Sequence, residues 1–173
     1  VKMPDTIEQS FTEEIPLKLT LRQGEFSGED ACFTGSASDG FAWAELSELP
    51  ETALFDTELS WSEGTEAVGI MIHAQPDLKE WCQLRLEIKN GRILMDRYNR
   101  VDGDQYYLDE RPVRFTENSA KVKLVVSGNI MLVYVNDVAL VSRCYEIASG
   151  SVGIFTEYGE IRAKGTRLLV QKY

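Results

Sequence analysis

Between Lys121 and Tyr145 the chain alternates short apolar runs with turn-forming pairs: Val122 to Val126, Ile130 to Val135 and Val138 to Val141 are separated by Gly128-Asn129 and Asn136-Asp137. Such pairs accept the positive φ of tight hairpin turns, so the spacing predicts an antiparallel meander of three strands. Counting from the first turn sets Val126 opposite Met131, Leu124 opposite Val133 and Val122 opposite Val135, an apolar face that belongs in a core. The other face sets Val125 opposite Leu132 and Lys123 opposite Tyr134, with Ile130 beside Ser127. That face is too apolar for water. Val125, Ile130, Leu132 and Tyr134 are therefore expected to be covered, by another segment of this chain or by a partner domain.

The same period-two pattern recurs elsewhere. From Trp81 to Lys89, Cys82, Leu84, Leu86 and Ile88 face one way, and Trp81, Gln83, Arg85, Glu87 and Lys89 the other. Asn90-Gly91 predicts a two-residue hairpin turn after them, which pairs Ile88 with Ile93, Leu86 with Met95, Arg85 with Asp96 and Gln83 with Tyr98. Just before, Val68, Ile70 and Ile72 share one face of a strand, Gly69, Met71 and His73 the other, and Gln75-Pro76-Asp77 ends it. Ile15, Leu17, Leu19 and Leu21 predict a first strand after an extended segment carrying Pro4 and Pro16. Gly24 to Gly40 reads as turns with a short strand near Ala31 to Thr34, followed by strands at Phe41 to Leu46 and Ala53 to Ser62. Val101 to Glu117 reads as a long loop with a short strand at Gln105 to Leu108. Ser151 to Thr156 and Ile161 to Val170 read as two final strands joined through Tyr158-Gly159-Glu160. Apolar residues nowhere recur at helical spacing for three turns. The expected class is all-β, a two-sheet antiparallel β-sandwich of the jelly-roll or concanavalin-like, lectin-like kind.

With 173 residues and 43% apolar content, the chain can bury one sizeable core, so one domain is expected. A formal net charge of -10, with 18 basic residues scattered along the chain, lacks the electrostatic footprint of a nucleic-acid binder and disfavours an anionic membrane surface. The longest apolar run, Ile130 to Val135, is too short to cross a bilayer, and Val1-Lys2-Met3-Pro4 shows no targeting signal. Cys32, Cys82 and Cys144 are odd in number and lack metal-ligand spacing; buried free thiols are expected. No cofactor motif is present. Asp102-Gly103-Asp104 could offer oxygen ligands to calcium, but a solvated turn accounts for it more simply.

His73 is the sole histidine, so any catalysis built on imidazole rests on one strand residue, for which a structural role is expected. The predicted register assembles a richer group: Trp81, Arg85, Glu87, Asp96 and Tyr98 on one face, with Gln83 among them and His73 reaching in from the adjoining strand. Carboxylates and guanidinium groups exchange hydrogen bonds with vicinal hydroxyls while a ring covers the apolar patch of a sugar, so the face suits a glycan. It would serve equally as a solvent-facing sheet with a cross-strand ion pair worth about 0.5 kcal/mol.

Val135-Asn136-Asp137, then Ser142-Arg143-Cys144-Tyr145, then Gly153 and Phe155, resemble the C-terminal β-sandwich domain of glycoside hydrolase family 32, the invertases, levanases and fructosidases. Pro4, Ile7 and Phe11 resemble the phrase where that family's chain leaves its catalytic propeller. Levan-binding modules of carbohydrate-binding family 66 look like relatives of the same sandwich. The resemblance implies that residues 1–14 are a linker from a preceding propeller domain of the same polypeptide and 15–173 the sandwich. It further implies a non-catalytic accessory role, a fructan-like oligosaccharide or polysaccharide as partner, a secreted or periplasmic setting, and a sugar site to which Glu157 and Tyr158 contribute. The propeller's Asn-Asp-Pro-Asn, Arg-Asp-Pro and Glu-Cys phrases do not occur here, and Ser127 and Leu132 stand where that family carries acids. An alternative reading is a free-standing lectin-like glycoside hydrolase with paired acids on the concave sheet.

Overall fold

A computed structural model describes residues 2–100, 103–144 and 149–172; Asp102 of the calcium phrase and Tyr145 of the family phrase lie outside them. Among the described residues there is one short helix, α1 (Asp5–Glu8), and the rest of the regular structure is strand. In chain order these are β1 (Phe11–Ile15), β2 (Thr20–Gln23), β3 (Glu25–Glu29), β4 (Cys32–Glu48), β5 (Thr52–Trp61), β6 (Ala67–Ala74) and β7 (Glu80–Glu87). They continue with β8 (Arg92–Asn99), β9 (Asp104–Pro112), β10 (Ser119–Ser127), β11 (Ile130–Val135), β12 (Val138–Arg143) and β13 (Ser151–Gln171).

All pairings are antiparallel, and the hydrogen-bonded path runs β12-β11-β10-β5-β13-β6-β7-β8-β9. The path folds into two layers because β4 and β13 each serve both. The first part of β13 lies between the second part of β4 and β6, whereas its later part lies between the first part of β4 and β5. Between the layers Val68, Ile70, Ile72, Leu84, Leu86, Ile93 and Met95 meet Phe55, Leu59, Val122, Leu124, Met131, Val133 and Leu168 in one core. The sandwich expected from the alternation is the fold observed.

Several boundaries differ from the sequence reading, each for a local reason. Tyr158-Gly159 does not end a strand; Tyr158 takes φ 46° at a register shift between Glu157 and Gly159, so β13 runs on for 21 residues with a bend that carries it from one layer to the other. Gly159 is required there, because a Cβ would come within 2.2 Å of the Thr65 hydroxyl oxygen. The stretch from Gly24 to Gly40, expected to be mostly turns, instead holds β3 and the first part of the 17-residue β4. The strand expected at Ile15 to Leu21 is split at Pro16 into β1 and β2, and the expected loop after Val101 contains the nine-residue β9.

The β7–β8 turn has four residues, not two: Glu87 pairs with Arg92, Arg85 with Leu94, Gln83 with Asp96 and Trp81 with Tyr98. A slip of two leaves every side chain on its expected face. The meander register is as counted, from Val126 opposite Met131 to Val135 opposite Val122.

Met3 and Phe11 pack on Leu54, Tyr134 and Leu169, with Ile7, Val125 and Leu132 half-buried around them. The segment ahead of Ile15 thus covers the apolar outer strip of the meander itself, and β1 pairs with β13. Ile130, at the turn, is left 39% exposed, contrary to expectation.

The cysteines correct the expectation of free thiols. Cys82 on β7 and Cys144 just after β12 form a disulfide across 62 residues, while Cys32 is free and half-buried. The core residues around Cys82 are those against which the opposite layer delivers Cys144.

His73 closes β6 with φ 51° and is buried. Burial holds its pKa below the ordinary value, a shift partly offset by the nearby backbone of Gly128 at the β10–β11 turn, and neither ring nitrogen has a hydrogen-bond partner among the described residues. Since the folded state resists protonation, the unfolded chain takes the proton first as pH falls. Stability is full above about pH 6.5 and declines below it, by up to about 1.4 kcal/mol per pH unit. Urea midpoints measured from pH 7.5 to 5.5 should show this decline, and His73→Asn, which keeps a residue tolerant of positive φ, should flatten it.

Candidate functional site

Alternation along β7, β8, β9 and β13 turns a row of polar and aromatic side chains to the outer face of the first layer, away from the core. Arg85 is the hub. Its Nε donates to Glu87 Oε2 at 2.8 Å and its Nη1 pairs with Glu157 Oε1, while Glu87 Oε1 takes Arg92 Nε and Arg92 Nη1 reaches Glu110 Oε2 at 2.6 Å. The result is an alternating ladder, Glu157, Arg85, Glu87, Arg92, Glu110, running across β13, β7, β8 and β9. Burial raises the Glu87 carboxyl, but hydrogen bonds from Arg92, Arg85 and Asn90 outweigh it and hold the pKa below the usual range. For Arg85 burial works against the charge, and Glu157 and Glu87 more than restore it.

Beside the ladder lies a second group. Trp81 Nε1 donates to Gln83 Oε1 at 3.1 Å, Tyr98 OH donates to Asp96 Oδ2 at 3.2 Å, and Gln105 Nε2 donates to both Tyr98 OH, at 2.8 Å, and Asp96 Oδ2, at 3.2 Å. Asp96 is fully buried, and its Oδ1 has no hydrogen-bond partner among the described residues. Burial therefore raises its pKa, against the hydrogen bonds from Gln105 and Tyr98 and the charge of Arg85. Tyr98 keeps its proton for the matching reasons, burial first and then the Asp96 charge.

Of the residues singled out in the sequence, the structure brings Trp81, Arg85, Glu87, Asp96, Tyr98 and Glu157 onto this one face. His73 lies at the Gly128 turn, and Tyr158, 56% exposed at the β13 bend, makes no described contact with the group. Trp81 offers no open ring. Tyr98 stacks on it at 4.7 Å and the Arg100 guanidinium lies 5.4 Å from its ring, so its part is to stiffen the site.

The exposed ring is one the sequence reading placed in a short strand but not in the site. Tyr107 sits opposite Asp96 on β9 with 65% of its surface in water, and Gln105 sits opposite Tyr98. Under the face, Phe155 is buried beside Phe41, at 5.5 Å between ring centres, and beside Trp43 and Met71. Gly69, between Phe155 and Arg85 in the cross-strand row, makes this packing feasible: a Cβ there would stand 2.0 Å from the Leu84 carbonyl oxygen and 2.6 Å from the Phe155 ring. No group of three His, Cys, Asp or Glu side chains that could hold a metal ion occurs among the described residues.

No protein-family model matches the chain, and neither does any curated protein. Solved structures do. The carbohydrate-binding module CBM66 from Bacillus subtilis superposes with a TM-score of 0.76 over 88% of this chain and 95% of its own, at 13% identity. The chain has the fold of that module. A fructosyltransferase from A. japonicus is matched over 87% of this chain but only 27% of the enzyme, with a TM-score of 0.65 and 16% identity. The galectin LEC-6 from Caenorhabditis elegans gives 0.55 over 80% of this chain and 95% of its own, at 13% identity. At such identities the shared property is the lectin-like sandwich, and the fold implied by the family 32 and family 66 resemblance is the one found.

Proposed function

We propose that this lectin-like sandwich is a non-catalytic glycan-binding domain of the kind that accompanies fructan-processing glycoside hydrolases, and that the outer face of β7, β8 and β9 holds the sugar. The observation that carries the reading is Arg85 clamped between Glu87 and Glu157 on the same sheet face as the exposed ring of Tyr107. A guanidinium held in place by its carboxylates can donate to adjacent hydroxyls without reorganising, and a free ring accepts the apolar side of the sugar. The names of the similar structures, a carbohydrate-binding module and a fructosyltransferase, support a fructan-like ligand. In a longer polypeptide the sandwich would also pack against a catalytic propeller.

Opposed pKa shifts at Asp96 and Glu87 resemble the pairing of an acid with a base, which favours a second reading as a hydrolase. Yet Asp96 has no exposed surface, and guanidinium groups occupy both Glu87 oxygens, so neither faces a substrate. Binding without turnover follows.

Calorimetric titration with fructo-oligosaccharides, levan and inulin tests the proposal. Tyr107→Ala should weaken binding about tenfold with the thermal midpoint unchanged, because the ring is in water. Arg85→Ala should weaken it further and also destabilise the fold, since it strands two part-buried carboxylates. Absence of heat with every fructan, or sugar release that Asp96→Asn abolishes, would overturn the proposal.

A further inference from the structure

At the far end of the same row lies a cavity that no part of the proposed sugar site uses. Its volume is about 710 Å³, and Arg22, Glu45, Gln75, Pro76, Asp77 and Ser151 are among the residues lining it. Arg22 Nη2 donates to Glu45 Oε2 at 2.9 Å. The other oxygen, Glu45 Oε1, is shut off from solvent and has no hydrogen-bond partner among the described residues. A carboxylate oxygen in that position has lost its water and gained nothing in return, a cost that would be removed by a rotation of the Glu45 side chain, itself 12% exposed, toward a donor hydroxyl of a ligand in the cavity. Pro76 and Leu49 give the cavity an apolar margin, and Ser151 adds a hydroxyl.

The register places this cavity in line with the first site. Glu45 pairs with Gly153, Gly153 with Met71, Met71 with Gln83, and Gln83 with Asp96. Four strand spacings separate Glu45 from Asp96, about 19 Å, which is longer than one sugar ring. We propose that the Arg22–Glu45 cavity is a second glycan subsite, so that this face binds an oligosaccharide at two separated points. The proposal rests on the reading of the Arg85 face as the first sugar site.

The two can be told apart by titrating wild type, Glu45→Gln and Tyr107→Ala with a fructose disaccharide and with a fructan oligosaccharide of about eight units, thermal melts confirming that each variant folds. Wild type should bind the longer sugar at least tenfold more tightly. Glu45→Gln, which keeps the shape but removes the charge, should erase that preference and leave disaccharide affinity unchanged. Tyr107→Ala should weaken both. Equal wild-type affinity for the two lengths, or a length preference that survives in Glu45→Gln, would overturn the second subsite while leaving the first. Failure of wild type to bind either sugar would overturn the first reading and this one with it.

Discussion

Reducing the Cys82–Cys144 bond should lower the unfolding free energy by about 4 kcal/mol. That figure is what the chain-entropy description gives for a loop of 62 residues released in the unfolded state. Both sulfurs lie in the core between the layers, so the reduced protein keeps its packing and the loss falls on the unfolded ensemble. Urea unfolding of the oxidised protein and of the same protein in reductant measures the difference directly. Counting thiols in the denatured, unreduced protein should give one, from Cys32. Three thiols, or a midpoint indifferent to reductant, would refute the bond.

A comparable loss is expected from a single methyl group at Gly69. The atoms a new Cβ would meet are the Leu84 carbonyl oxygen and the Phe155 ring, and neither yields cheaply. The carbonyl belongs to the strand paired with β6, and Phe155 is fully buried. Gly69→Ala should therefore cost about 3 kcal/mol or more and disturb the sugar face, because Arg85 is the cross-strand partner of Gly69. Gly40→Ala makes a useful contrast in calorimetry. Nothing lies within 4 Å of a Cβ there, so its cost comes only from the positive φ of 81°.

What the sequence showed and what it hid follow from the reach of each signal. Period-two alternation is local, and it identified the faces of the meander and of Trp81 to Lys89 even where the turn length was miscounted, because a slip of two residues preserves a face. Thus Arg85, Glu87, Asp96 and Tyr98 were found together although their partners were misjudged. Tyr107 was missed because the short strand expected at Gln105 to Leu108 had no assigned neighbour, and its place beside Asp96 comes only from pairing with β8. The continuity of β13 was hidden for the opposite reason: Tyr158-Gly159 carries a turn signal that the tertiary structure uses as a bend within one strand. The disulfide and the Glu45 cavity depend on which segments meet across the fold, and no spacing along the chain encodes that.

The shared strand also decides the order in which the molecule can be assembled. β13 stands between β5 and β6 in the hydrogen-bonded path, yet it follows every other strand in the chain. During synthesis the β6–β9 and β10–β12 meanders can form early from neighbouring residues, but each then waits with an open edge until β13 has emerged. Neither half can close alone. The step that joins them must bring together residues more than a hundred positions apart, such as Phe33 with Ala163 and Leu54 with Leu169. Such a fold pays its entropy of closure late, which sets its folding among the slow ones and makes the nascent chain a client for whatever shields unpaired strand edges in the cell.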